Sequence, residues 1–262
     1  AVYPSQEGAD SAALLGRLEA LEWMAALDPA VYPSQEGADS AALLGRLKVL
    51  KWMAALDPAV YPSKKVLNLT AKNGRVDVLK WLAAEIKFKL TPDDADSAAG
   101  DGYMEVLQWL ATERQVYPTE KGADLAAIKG HLGVLEWLVK ERKVYPSQGS
   151  IDLVVGKGHL DVLKWLVAEG QFNPNQDHAD SAAGDGYLQM LQWLATEHYV
   201  YPTDQGVKWA LDKGHLGVLK LLVGQKKFKP TREHADSVAG NRHLEVPNVL
   251  EVLKWLAALD AP

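Results

Sequence analysis

Tryptophan recurs along this 262-residue chain at a nearly constant step. Trp23, Trp52, Trp81, Trp109, Trp137, Trp165 and Trp193 stand 29, 29, 28, 28, 28 and 28 residues apart. Leu221 holds the next position, and Trp255 follows 34 residues later. Proline keeps the same register at Pro4, Pro33, Pro62, Pro118, Pro146, Pro174, Pro202 and Pro230. Glycine keeps it too, at Gly16, Gly45, Gly74, Gly102, Gly130, Gly158, Gly186 and Gly214. Three residue types on one period mean an array of one small unit. Such an array grows in one dimension, without a single central core.

Cutting before each Val-Tyr-Pro or Phe-x-Pro gives nine repeats, at 1–29, 30–58, 59–86, 87–114, 115–142, 143–170, 171–198, 199–226 and 227–262. The last is lengthened by an insertion around Val246, Pro247 and Asn248. A slower rhythm overlies the first: ADSAAGDGYMEVLQWLATE at 95–113 returns with three changes at 179–197, an offset of 84 residues. Phe88, Phe172 and Phe228 replace the loop valine in three repeats. In repeat 115–142, the alanine-rich stretch Ala123–Lys129 predicts a short first helix. Gly130 ends it, because glycine takes positive φ at a helix terminus without steric cost. A second helix is expected over about His131–Arg142, with Leu132, Val134, Leu135, Trp137, Leu138 and Val139 covering most of its circumference. Such a hairpin cannot bury its apolar surface alone, whereas stacked copies can. The expected fold is all-α, a solenoid of nine stacked helix–turn–helix repeats forming a single domain over 1–262, with the tryptophan row in the core.

The period is near that of some leucine-rich repeats, but their L-x-L-x-x-N strand signature is missing, and tetratricopeptide and pentatricopeptide repeats are longer. The repeat text AAIKGHLGVLEWLV (126–139), VVGKGHLDVLKWLV (154–167) and ALDKGHLGVLKLLV (210–223) resembles the core of ankyrin repeats: a small-residue pair, a Gly-His-Leu turn and an apolar helix. The likeness is to a short, tryptophan-bearing variety, since ankyrin repeats run about 33 residues and the deficit falls in the connecting loop. The Thr-Pro-Leu-His opening is replaced by Gly-Ala-Asp or His-Ala-Asp. The resemblance implies an ankyrin-like solenoid and says little about the partner.

The formal net charge is -6. Nucleic acid needs a basic stripe to neutralise phosphates, so this balance argues against it as partner. No apolar run reaches the ~18 residues of a membrane span, and no secretory leader stands at the start; an intracellular location is favoured. There are no cysteines, which excludes thiolate metal sites and cysteine nucleophiles. His131, His159 and His215 share one turn position with Tyr103 and Tyr187. Equivalent residues of stacked helices stand about 8–10 Å apart, too far for zinc, whose ligand nitrogens lie at about 2 Å. His178, Asp180 and Ser181 hold the residue types of a hydrolytic triad, but they follow one another at a helix start, where Asp or Ser is better explained as an N-cap. No catalytic, cofactor or metal residues are therefore assigned, and no enzyme activity is expected.

The candidate partner-binding residues are Trp209, Tyr117, Tyr145, Tyr201, Tyr103 and Tyr187. Tyr3, Tyr32, Tyr61, Tyr117, Tyr145 and Tyr201 form a stripe along the loop edge, either gripping a partner or covering the next loop. Trp209 stands where other repeats have Leu125, Leu153, Ser97 or Ser181, as a hot spot or as a filler between helices. Lys226, Lys227, Lys229 and Arg232 make a small basic patch. Repeats one and two differ only at Glu19/Lys48, Ala20/Val49 and Glu22/Lys51, and VLKWLAALDAP (252–262) closely matches VLKWMAALDPA (49–59). Residues 1–29 carry one basic and five acidic residues; residues 199–262 carry nine basic and seven acidic. The expected function is a protein-binding scaffold. The alternative is a structural subunit that self-associates head to tail, a contact that can propagate into filaments.

Overall fold

The computed structural model describes residues 3–63, 66, 69–70, 73–85, 90–241 and 246–259. Phe88 and the final residues 260–262, on which two sequence observations fell, lie outside them. The described residues form seventeen helices and no strand. In chain order these are α1 Gln6–Leu15, α2 Leu18–Ala25, α3 Gln35–Leu43, α4 Leu47–Ala54, α5 Val76–Glu85, α6 Pro92–Gly100, α7 Met104–Arg114, α8 Glu120–Ile128 and α9 Leu132–Arg142. They continue as α10 Gln148–Val155, α11 Leu160–Ala168, α12 Gln176–Gly184, α13 Leu188–Glu197, α14 Asp204–Asp212, α15 Leu216–Gly224, α16 Arg232–Ala239 and α17 Val246–Leu259. The fold is an all-α solenoid of stacked helix–turn–helix repeats.

Local chemistry sets each boundary. In four repeats the Ser or Thr after the loop proline accepts an orphan backbone N–H of the first helix, as Ser5 Oγ does from Gly8 at 3.2 Å and Thr203 Oγ1 from Gln205 at 3.2 Å. This cap explains why α8 begins at Glu120, before the alanines that announced it. Gly130 then turns the chain at φ 77°. The loop folds back on the second helix through a recurring backbone bond: Val31 donates to Met24, Val60 to Met53, Val116 to Leu110 and Val200 to Leu194, each at 3.0 Å. The insertion at Val246 and Pro247 joins the last helix, α17, of 14 residues.

The chain divides into two compact units, residues 1–126 with 133–146, and residues 127–132 with 147–262. In the first, α1 packs on α3, α2 on α4 and α5 on α7. In the second, α10 packs on α12, α12 on α14, α14 on α16 and α13 on α15. First helices thus stack on first helices and second on second. Leu21, Leu50, Leu79, Leu107 and Leu135 in the first unit, and Leu163, Leu191 and Leu219 in the second, are fully or almost fully buried. Each such leucine contributes about 1.5–3 kcal/mol by leaving water.

The tryptophans do not form the core row expected of them. Trp109 and Trp193 are 3% and 6% exposed, but Trp23 is 59% exposed, and Trp52, Trp81, Trp137, Trp165 and Trp255 are half-buried. From Trp23 to Trp193 each Trp of the row follows a buried leucine by two residues, which is about 200° around the helix. The leucine takes the centre and the indole its margin. Trp109 and Trp193 occupy matching places in the two copies of the 84-residue rhythm, where Arg114 lies over the first ring at 5.6 Å and His198 stands edge-on to the second at 4.7 Å.

Candidate functional site

Asp94 caps its own helix, accepting from Thr91 N–H and Oγ1 at 2.8 Å, but four other first-helix aspartates, Asp10, Asp39, Asp96 and Asp180, do not. Each reaches across to the N-cap of the next repeat. Asp10 accepts from Ser34 N–H at 2.6 Å and Ser34 Oγ at 2.8 Å; Asp39 binds Ser63 in the same way at 2.5 and 2.8 Å. Asp96 holds Thr119 at 2.6 and 2.8 Å, and Asp180 holds Thr203 at 2.6 and 2.7 Å. The triad suggested by His178, Asp180 and Ser181 is therefore absent as a triad: Asp180 is engaged with the following repeat. His178 looks the other way. Its Nδ1 accepts from Asn175 N–H at 3.0 Å, and its Nε2 lies 3.3 Å from Asp152 Oδ1 in the preceding repeat.

The turn position after each glycine also works between repeats. Arg46 Nε donates to the Leu14 carbonyl at 3.1 Å, Arg75 Nε to Leu43 at 3.4 Å and Tyr187 Oη to Gly156 at 3.2 Å, while His159 Nε2 stands 3.0 Å from the Ile128 carbonyl. Each satisfies a carbonyl in the last turn of the preceding first helix. Arg, Tyr and His interchange because each carries a donor at similar reach. Burial pushes the His215 ring toward its neutral form; the Gly184 carbonyl lies near without completing a hydrogen bond to Nε2, and opposes this only in part. Among the described residues no three His, Asp or Glu side chains converge as metal ligands would. Nor is any described helix long and apolar enough to cross a membrane.

The structure spreads the six candidate residues over several repeats and does not bring them into one site. Tyr103 packs its ring against Gly74, and Tyr187 is engaged with Gly156 and Gly158. Tyr117 and Tyr201 are half-buried with a cation over each ring, Arg142 at 4.3 Å and Lys227 at 4.0 Å. Tyr145 is likewise half-buried. Trp209 on α14 differs from all of these. Its inner edge seats on Gly184, where an added Cβ would fall 2.9 Å from Trp209 Cβ, yet the residue remains 42% exposed. It both fills a gap and offers an indole surface.

Lys208, which sequence reading passed over, stands beside Trp209 in the row that holds Asp10, Asp39, Asp96 and Asp180 elsewhere. Its signal was the break in that row. Within residues 199–229 there are six lysines (208, 213, 220, 226, 227 and 229) against Asp204 and Asp212, a local balance of +4 in a chain of net charge -6. Lys213 is paired with Asp185 at 2.7 Å.

No protein-family model and no curated protein matches the chain. Among solved structures it is similar to the pentatricopeptide repeat protein PPR10 in complex with an 18-nucleotide psaJ RNA element, at a TM-score of 0.45 and 16% identity, over 98% of this chain and 44% of that one. A triple cysteine-to-serine variant of that complex gives the same values. PPR10 from maize gives a TM-score of 0.37 and 16% identity, over 97% of this chain and 43% of that one. This chain spans less than half the length of the proteins it matches. The likeness is one of fold, a helical-repeat solenoid rather than an ankyrin array specifically.

Two of these three solenoids were crystallised with RNA. What these two neighbours hold is RNA, which corrects the expectation of a protein partner and the exclusion of nucleic acid. The net charge of -6 averages over a chain whose lysines gather in one stretch, so it does not by itself exclude a polyanion.

Proposed function

We propose that this chain is a non-catalytic helical-repeat scaffold that binds single-stranded nucleic acid, with Trp209 as a stacking platform for a base. The observation that carries this is the exposed indole of Trp209 beside Lys208, within a stretch of local charge +4. Single strands are held by aromatic faces, on which any base stacks, combined with cations that follow the backbone. Tyr201, under Lys227 of the following repeat, is the second aromatic of the patch. Tyr103 and Tyr187 are occupied between repeats and play no direct part. We further infer that the repeats form one continuous array over 1–262, of the short ankyrin-like kind. The Gly-His-Leu turns at 130–132, 158–160 and 214–216 support that finer assignment.

The test is fluorescence anisotropy of a labelled oligouridylate titrated with the full chain at low salt. Stacking of a base on an aromatic contributes about 1–3 kcal/mol, so Trp209→Ala is expected to weaken binding about 5- to 150-fold. The same oligomer annealed into a duplex should bind less well, since its bases are no longer free to stack. Absence of binding, or equal binding by the wild type and Trp209→Ala, overturns the proposal.

A further inference from the structure

Two clefts of the second unit are repeat-equivalents, 56 residues apart. The cleft between α10 and α12 has a volume of about 510 Å³ and is lined by Gln148, Asp152, Asn173, Asn175, Asp177 and His178 among others. The cleft between α14 and α16 has a volume of about 440 Å³; its lining includes Asp204, Lys208, Lys227, Lys229, Glu233 and His234. In both, the lining histidine packs against a loop phenylalanine, His178 against Phe172 at 4.7 Å and His234 against Phe228 at 5.0 Å, and Phe228 itself lines the second cleft. In both, the histidine Nδ1 accepts a backbone N–H from its N-cap, from Asn175 at 3.0 Å and from Thr231 at 2.9 Å. That bond places the proton of the neutral ring on Nε2 and makes Nε2 a donor. In the first cleft this donor meets the Asp152 carboxylate at 3.3 Å.

The geometry repeats and the charge inverts. Lys208 takes the place of Asp152, and Lys229 that of Asn173. The first cleft holds two carboxylates and no lysine along its lining; the second holds three lysines against two carboxylates. At four other junctions the same row carries an aspartate bound to the next repeat. A position that elsewhere sets a negative group against the following repeat thus presents a cation in repeat eight.

We propose that the cleft between α14 and α16 binds a phosphate group, whose anionic oxygens occupy the place of the missing carboxylate. Lys208, Lys227 and Lys229 neutralise it, and His234 Nε2 donates to it as His178 donates to Asp152. The site rests on the single-strand reading only for the source of its phosphate, which is either a strand's phosphate or a free one.

The test uses the ¹⁵N-labelled full chain titrated with inorganic phosphate, with sodium chloride at matched ionic strength as the reference. The expected result is a saturable shift of the Thr231 and His234 amides, with none at Asn175 and His178 in the sister cleft. Lys208→Asp, which restores the residue found in that row at other junctions, should abolish the shift and leave the remaining spectrum folded. Equal shifts in both clefts, no shift in either, or a shift that survives Lys208→Asp overturns the proposal. Unlabelled oligouridylates with and without a 5′-phosphate then identify the source. Reproduction of the shifts by the phosphorylated oligomer alone assigns a terminal phosphate, and by both an internal phosphodiester. If inorganic phosphate shifts these amides and neither oligomer does, the site takes free phosphate, which supports the cleft and counts against the single-strand reading.

Discussion

Asp180 is 6% exposed and accepts two hydrogen bonds from one residue of the next repeat. A hydrogen bond to a charged group contributes about 1.5–3 kcal/mol, and the two share one partner, so their sum is less than twice that. Asp180→Ala leaves the Thr203 N–H without its acceptor at a covered junction. It should lower stability by about 2–4 kcal/mol, read as a shift of the urea midpoint followed by circular dichroism. A midpoint within error of the wild type would mean that the bond fixes geometry without stabilising. His215 makes a second prediction at this scale. Its pKa is lowered by burial, so below the usual value near 6.5 the unfolded chain binds a proton that the folded one refuses. Its contribution is whole above pH 6.5 and is lost as pH falls through the depressed folded value. His215→Tyr uses the residue found in the same turn slot at Tyr103 and Tyr187. Between pH 7 and pH 5.5 this variant should lose less stability than the wild type; an equal loss in both places the pH sensitivity elsewhere.

At the scale of the element, helices were written in the chain and junctions were not. Pro, Gly and the leucines beside each Trp act within a few residues, so the hairpins could be read directly. The ties between repeats join residues 23 or 24 apart, as Asp10 to Ser34 and Asp180 to Thr203, or 31 to 32 apart, as Tyr187 to Gly156 and Arg46 to Leu14. Read along the chain, each of these looks like an ordinary helix-start or turn residue. Trp209 was visible as a break in pattern, yet its seat was not, because Gly184 lies a repeat away. That seat yields a prediction in which two effects compete. Alanine at the end of a helix gains up to about 1 kcal/mol over glycine, while an added Cβ against Trp209 costs about 1–3 kcal/mol as overpacking. Gly184→Ala should therefore destabilise by about 1–2 kcal/mol net. In a Trp209→Ser background, which copies the neighbouring Ser181 and Ser237, the same change should become neutral or stabilising. A double-mutant cycle on urea midpoints reads this coupling; additive effects would show that the indole does not depend on the glycine.

At the scale of the whole molecule, the question is whether a chain of net charge -6 can hold a polyanion. In physiological salt the Debye length is about 8 Å, roughly the spacing of neighbouring helices. A phosphate beside Lys208 therefore responds to the charges of its own and adjoining repeats and hardly to those further along. Around Lys208, residues 199–229 carry six lysines against Asp204 and Asp212, whatever the acidic first repeat adds to the total. The two descriptions predict opposite salt dependences. If net charge governed the encounter, screening would relieve repulsion and binding would strengthen with salt. If the local lysines govern it, each neutralised phosphate releases counterions, and the logarithm of the association constant falls by about 0.7 per contact for each tenfold rise in salt. Three or four contacts, from Lys208, Lys226, Lys227 and Lys229, give a slope of about -2 to -3 for an oligouridylate titrated into the full chain at several salt concentrations. Lys208→Gln should make that slope shallower by roughly one contact's worth, about 0.7, while Trp209→Ala should weaken binding at every salt concentration and leave the slope alone. A flat or rising dependence would mean that these four lysines do not meet the strand.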